Sequence, residues 1–248
     1  MELARTWEIG PGSRILEIGC GQGNMTSVLA AAVGAEGLVD AVDSAPGTYG
    51  APETLAQATA FLANSPVGKP IRFHLETQLQ ESALLENHYD AAVLAHSSWY
   101  TRSDEELVQL LELARSVADS LMFAEWDLRP QKVEQVPHLL AVMIQGQIES
   151  FRQGSEANVR NAFSREHGLD MIEQAGWTIL QVFSPDTSDQ QDGAWEVADC
   201  LRFAGRHLDE TDMPGKAKTF VASQVDLLKS YSSQHVRSLP SYALVAGK

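Results

Sequence analysis

Residues 17–24 read Glu17-Ile18-Gly19-Cys20-Gly21-Gln22-Gly23-Asn24, three alternating glycines behind one acid. Glycines so spaced permit positive φ and let a ligand approach bare backbone. The start of a following helix adds unpaired N–H groups. A dinucleotide fingerprint places its third glycine three residues after the second, where this chain has Asn24. A phosphate loop continues into Gly-Lys-Ser/Thr, and no lysine follows here. Glu17 would repel a pyrophosphate and suit a cationic ligand. Asp43 ends the next apolar run. In an open α/β sheet it lies beside the glycine loop, where a carboxylate accepts two hydrogen bonds from a ribose diol.

Ligands of such sheets sit outside the carboxyl ends of the strands, which directs attention to two more strand ends. One is His96-Ser97-Ser98-Trp99-Tyr100. An imidazole changes charge near physiological pH, which makes His96 a candidate base toward a hydroxyl or thiol; the alternative is that it shapes the loop by bonding backbone. Tyr100 is a second catalytic candidate, and Trp99 and Tyr100 either line an apolar pocket or simply pack. The other is Glu125-Trp126-Asp127, where Trp126 could stack on a flat substrate and the acids could anchor an amine or serve a helix end. His138 is a further base or substrate contact, and Trp195 a residue that could close a lid. The seven histidines and two cysteines show no zinc spacing, and no metal is expected.

Positioning these residues requires alternating strands and helices. Apolar runs at 14–18, 38–42, 71–75, 89–95, 120–124, 177–183 and 241–246 read as seven strands. Helical patterns fill 25–33, ended by Gly34, and 53–63, ended by Asn64-Ser65-Pro66. Ser103 with Glu106 forms a capping box for a helix burying Leu107, Leu110, Leu111 and Ala114. Ser164 caps 165–175. Strands separated by helices imply right-handed crossovers and a mostly parallel, doubly covered α/β sheet. The chain reads as one domain, 1–248, with helical insertions at 127–163 and 184–240. Insertions of that length either cover a site or extend the core.

Composition bounds the function. The chain has 248 residues, 44% hydrophobic, enough for a sizeable core. Eighteen basic against 33 acidic residues give a net charge of −15. A phosphate backbone would be repelled, so nucleic acid is not an expected partner, nor is a membrane. No apolar run reaches the roughly 20 residues of a spanning helix, and no secretory signal is apparent. Cys20 and Cys200 suggest no disulfide framework; a cytoplasmic location is expected.

Glu-Ile-Gly-Cys-Gly-Gln-Gly followed by Asp43 resembles the class I S-adenosylmethionine-dependent methyltransferases. The resemblance covers the element order from about Arg14 onward, with the specific motifs in the first third. It implies a seven-stranded sheet of order 3-2-1-4-5-7-6 with the last strand antiparallel. It implies S-adenosylmethionine as cofactor and S-adenosylhomocysteine as product. Gly19 and Gly21 would pack against the methionine and ribose portion, Glu17 would organise the loop, and Asp43 would hold the ribose hydroxyls. Glu76 or Thr77, with Gln78 next, would meet the adenine amino group. Cys20, Gly23, Ser44 and His96 complete the implied cofactor set, with His96 beside the transferring methyl. Methyl transfer needs in-line positioning more than acid–base groups. The expected acceptor is a small molecule; the alternatives are a protein acceptor, or cofactor binding without methyl transfer, regulatory or cyclase-like.

Overall fold

The structure is a computed structural model that describes every residue except 1, 153, 156, 188 and 232–234. Five strands run parallel in the order β3 (Ile71–His74), β2 (Leu38–Val42), β1 (Arg14–Ile18), β4 (Tyr89–Ala95) and β5 (Ala118–Trp126). Then β7 (Ser241–Gly247) pairs antiparallel with both β5 and the outer strand β6 (Thr178–Phe183). This is the order 3-2-1-4-5-7-6 that the resemblance implies.

The central strands are continuous apolar runs because both faces are covered. On one face α2 (Asn24–Val33) lays Leu29, Ala30 and Val33 against Ile15, Val39, Ala91 and Val93. On the other, α4 (Asp104–Val117) and α6 (Arg165–Gln174) pack Leu107, Leu111, Ala114 and Ile172 against Leu16, Ala92, Leu121 and Phe123. Short α1 (Glu2–Thr6) adds Leu3 to the first face, and α3 (Leu55–Ala63) links β2 to β3.

Several boundaries differ from the sequence reading. β5 extends at both ends of 120–124, because seven of its residues pair with β7 and its first residue pairs Tyr89. Leu75 lies outside β3. α3 begins at Leu55, with Thr54 as its N-cap and Gln57 reaching back to complete a capping box. At α4 only half of the expected box forms. The Ser103 hydroxyl accepts from Glu106 N–H, while the Glu106 carboxylate turns to the backbone N–H and guanidinium of Arg102.

The two insertions meet. The first contributes α5 (Val136–Glu149), the second α7 (Asp192–Asp209) and α8 (Gly215–Ser230). Ala141, Ile144 and Ile148 pack with Val197, Cys200, Ala204 and Leu208, and with Val221, Val225 and Leu228, as a hydrophobic cluster of their own. An ion pair closes its far end. The Glu149 side chain, 3% exposed, accepts from Arg152 at 2.7 Å, and Arg152 reaches Glu210 at the end of α7 at 3.3 Å. Removing one partner of a buried pair strands the other charge. Arg152→Ala is expected to cost roughly 2–3 kcal/mol, read as a lower urea midpoint, with Glu149→Gln on the same background recovering part of it.

The segment leading into β7 ties both insertions to the sheet. Ser238 O accepts from Gln135 Nε2 at 2.9 Å, and Ser238 Oγ accepts from Gly193 N–H and donates to Gln190 O, both at 2.8 Å. Leu239 N–H donates to His138 Nδ1 at 2.9 Å, and Asp127 N–H to Pro240 O at 2.7 Å. A Cβ on Gly193 would lie 2.8 Å from Ser238 Cα, so α7 crosses this segment at backbone contact.

Candidate functional site

The glycine loop sits at the carboxyl end of β1, between β2 and β4, where the strand order switches direction. Gly19 and Cys20 both donate their N–H groups to Val42 O, at 2.8 and 3.1 Å. Gly19, Gly21 and Gly23 all have positive φ, and Gly23 is the N-cap of α2. The glycines serve different ends. A Cβ on Gly19 would come within 2.4 Å of Ser97 Cβ, so this position lets the β4 loop close on the β1 loop. The Ser97 hydroxyl then donates to Ile18 O at 2.9 Å. A Cβ on Gly21 would meet nothing within 4 Å, which leaves an open face where a ligand can approach backbone.

Asp43 binds the loop directly. Its Oδ2 accepts from Gly21 N–H and its Oδ1 from Ala45 N–H, both at 2.8 Å. Each carboxylate oxygen keeps a second lone pair for a diol. Ser44 follows at the surface. Glu76, in the left-handed region at φ 53°, accepts from Gly47 N–H at 3.2 Å. Thr77 turns its hydroxyl back to Leu75 O, so Glu76 is the better placed of the two to receive an amino group. Glu17 lies beneath the loop, 2% exposed, and accepts from the Thr26 hydroxyl at 2.6 Å. Burial pushes its carboxyl up to about 8, with Asp43 adding to the shift, so Glu17 is uncharged at neutral pH. Burial, then Glu17 and Asp43, also push the Cys20 thiol up, and it stays unionised.

These features suit a sulfonium nucleoside: an open glycine face, an acid at the strand end with lone pairs left for a diol, and a loop without phosphate-binding cations. Gly19, Gly21, Asp43 and Glu76 would hold it. When bound, such a cofactor supplies an electrophilic methyl group.

Beyond β4 the chain places His96, also at positive φ, 54°. Its ring lies against Trp126 at 4.2 Å, the two planes tilted by 37°, and Trp126 meets His138 edge-to-face at 5.4 Å. The structure thus brings together three candidates from β4, β5 and α5. His138 is fully buried, and that burial pushes its imidazole down to about 3. With Nδ1 accepting from Leu239, the neutral ring carries its hydrogen on Nε2, which has no partner among the described residues, and His138 has no free lone pair to act as a base. Trp99 is only 3% exposed and packs edge-on to Phe163 in the main core. Tyr100 is 40% exposed, and its partial burial, with the charges of Glu196, Glu125 and Asp192 around it, raises its phenol. Trp195 is exposed and lines a surface groove with Asp189, Leu201 and Val236.

Glu125, read from the sequence as an amine anchor or a helix-end partner, is bonded to Ser98 and the Trp126 backbone, and the residues described after it carried no motif. Glu125, 1% exposed, accepts from Ser98 N–H and Oγ–H through Oε2, at 3.2 and 2.6 Å, and from Trp126 N–H through Oε1 at 2.9 Å. The Tyr49 hydroxyl donates to Asn158 at 2.7 Å, and Gln145 donates to Glu196 at 2.9 Å. The first contact joins the loop after β2 to the first insertion, and the second joins the two insertions. Among the described residues no cluster of three His, Cys, Asp or Glu is placed to hold a metal ion, and no helix is long and apolar enough to cross a membrane.

Comparison with known proteins agrees with this geometry. The family model of the methyltransferase domain matches residues 15–120. A crystal structure of a cyclopropane-fatty-acyl-phospholipid synthase-like protein from Lactobacillus casei is 31% identical. The match covers 100% of this chain and 88% of that one, at a TM-score of 0.85. The methyltransferase phomM' of Diaporthe leptostromiformis is 28% identical over 204 residues, 66% of this chain. The chain spans about half the length, 53%, of that curated relative. Magnesium protoporphyrin IX methyltransferase from Synechocystis, solved with bound S-adenosylhomocysteine, shares the fold at 14% identity and a TM-score of 0.52. That match covers 100% of this chain and 78% of the other.

Proposed function

The chain belongs to the class I S-adenosylmethionine-dependent methyltransferase family, and from that premise we propose that it transfers the cofactor's methyl group to a small-molecule acceptor. The observation that carries this reading is the cover over the sheet's carboxyl edge. α5, α7 and α8 share one core, the Tyr49–Asn158 hydrogen bond ties the first insertion to the loop beyond Asp43, and the Gln145–Glu196 bond ties the two insertions together. A cover so attached favours an acceptor small enough to be enclosed over one presented on a macromolecular surface. The names of two relatives, a fungal methyltransferase and a cyclopropane-fatty-acyl-phospholipid synthase-like protein, are compatible with that class.

In this reading Asp43 and the glycine backbone hold the cofactor, and Trp126 with Tyr100 contacts the acceptor. The protein's task is in-line placement, the larger part of what a transfer between bound partners requires. Insertions 127–163 and 184–240 act as the lid within a single domain, 1–248.

The test is incubation of the purified protein with methyl-labelled cofactor and a cell extract split into low-mass and protein fractions. Label in the low-mass fraction is the expected result. Label confined to protein would replace the acceptor class, and cofactor binding with no label in either fraction would remove methyl transfer.

A further inference from the structure

The hydrogen bonds around His96 decide which of its nitrogens carries a hydrogen. Thr187 Oγ1 donates to Leu239 O at 3.1 Å, which spends its single hydrogen. Its contact with Ser241 Oγ at 3.0 Å therefore has Ser241 donating. That spends the Ser241 hydrogen in turn. In the contact between Ser241 Oγ and His96 Nε2, at 3.4 Å, Ser241 is left to accept, and Nε2 must supply the hydrogen. The other ring nitrogen, Nδ1, is buried with no hydrogen-bond partner among the described residues, and lies at ion-pair distance from the Glu125 carboxylate, 3.5 Å from Oε1. Ser241 and Thr187 are 1% and 5% exposed, so water does not replace either hydroxyl.

A base needs a lone pair within reach of the proton it takes. On His96 the nitrogen toward Ser241 holds a hydrogen and the other is sealed in. We propose that His96 is a positioning residue, not the base: the Thr187–Ser241 hydroxyl pair fixes its imidazole with the hydrogen on Nε2 and its ring against Trp126, setting the floor of the acceptor site. Thr187 belongs to the second insertion and Ser241 opens β7, so the ring's orientation is dictated from the cover. The phrase "acceptor site" rests on the methyltransferase reading; the placement of the hydrogen does not.

The experiment is long-range proton–nitrogen NMR on the full chain labelled with ¹⁵N-histidine, with the His96 signals identified by their loss in His96→Asn. The wild type is expected to show a hydrogen-bearing Nε2 at pH 7–8. Thr187→Val removes the oxygen that receives the Ser241 hydrogen. Ser241 then turns its O–H on His96, and the ring is expected to switch to the tautomer protonated on Nδ1, with Nε2 a bare acceptor. A purely structural role for Thr187 predicts no such switch. A bare Nε2 in the wild type overturns the proposal by itself, whether or not the variant folds. A folded Thr187→Val protein with the wild-type pattern also overturns it. Neither result bears on label transfer, so the broader assignment fails or stands separately.

Discussion

A Gly19→Val protein is expected to show no binding of S-adenosylhomocysteine in a calorimeter, a loss of roughly 10³-fold or more. The residue sits at φ +77°, and a Cβ there would lie 2.4 Å from Ser97 Cβ and 2.8 Å from its hydroxyl oxygen. A left-handed backbone costs a non-glycine residue about 1–2 kcal/mol, and a β-branched one more. The overlap also has no cheap relief, because the first atoms met are the Cβ and Oγ of a serine whose hydroxyl is tied to Ile18 O. The β4 loop must retreat and the glycine turn open. Asp43→Ala is expected to be milder, roughly 10–100-fold, since it removes a charged acceptor worth about 1.5–3 kcal/mol while the turn retains the Gly19 and Cys20 bonds to Val42. Unchanged affinity in a Gly19→Val protein with native circular dichroism would sink the assignment of this loop to the cofactor.

The second large effect is on stability. Glu17 keeps its proton in the folded chain up to about pH 8, against 4.5 for a free carboxyl. Between those values the folded protein holds a proton that the unfolded chain has released. The Glu17 contribution to stability therefore falls as pH rises from about 4.5 to 8 and levels off above that, by roughly 3–5 kcal/mol over the whole interval. Glu17→Gln keeps a partner for the Thr26 hydroxyl and has nothing to ionise. The variant should gain on the wild type by that amount between pH 5 and 8, measured as the difference between their urea-unfolding free energies at each pH. His138, whose pKa is lowered, adds a slope of opposite sign below about pH 6.5, but it is common to both proteins and cancels. A flat difference would mean that Glu17 is ionised in the folded state.

What was legible in the sequence is what depends on neighbours in the chain. All seven strands follow from apolar runs, and Gly34, Ser103 and Ser164 mark helix ends that the structure keeps. The glycine loop and Asp43 were legible because turn chemistry and strand ends leave local signatures. The half-formed box at Ser103 shows the limit: Arg102, one residue upstream, outcompeted the serine backbone for Glu106 because a guanidinium offers a charged, two-pronged donor. Long-range choices left no mark. Nothing near Ser241 announces a partner for His96, and nothing in 127–163 announces a common core with 192–230. Those contacts are set by how the segment before β7 threads between the insertions. Glu125 stood in view beside Trp126, but its burial under the β4 loop follows from the parallel pairing of β4 with β5.

That threaded segment has a consequence for how the molecule opens. Within three residues, Ser238 to Pro240, it holds Gln135 and His138 of the first insertion, Gly193 of the second, and Asp127 just beyond β5. The insertions proposed as the cover are therefore not held as a separate leaf on a hinge. Exposing the Leu239 amide to solvent exchange means breaking its bond to His138 and freeing the segment that Gly193 and Asp127 also hold. These amides, far apart along the chain, belong to one cooperative opening unit, and the free energy that protects any of them protects the approach to the sheet's edge.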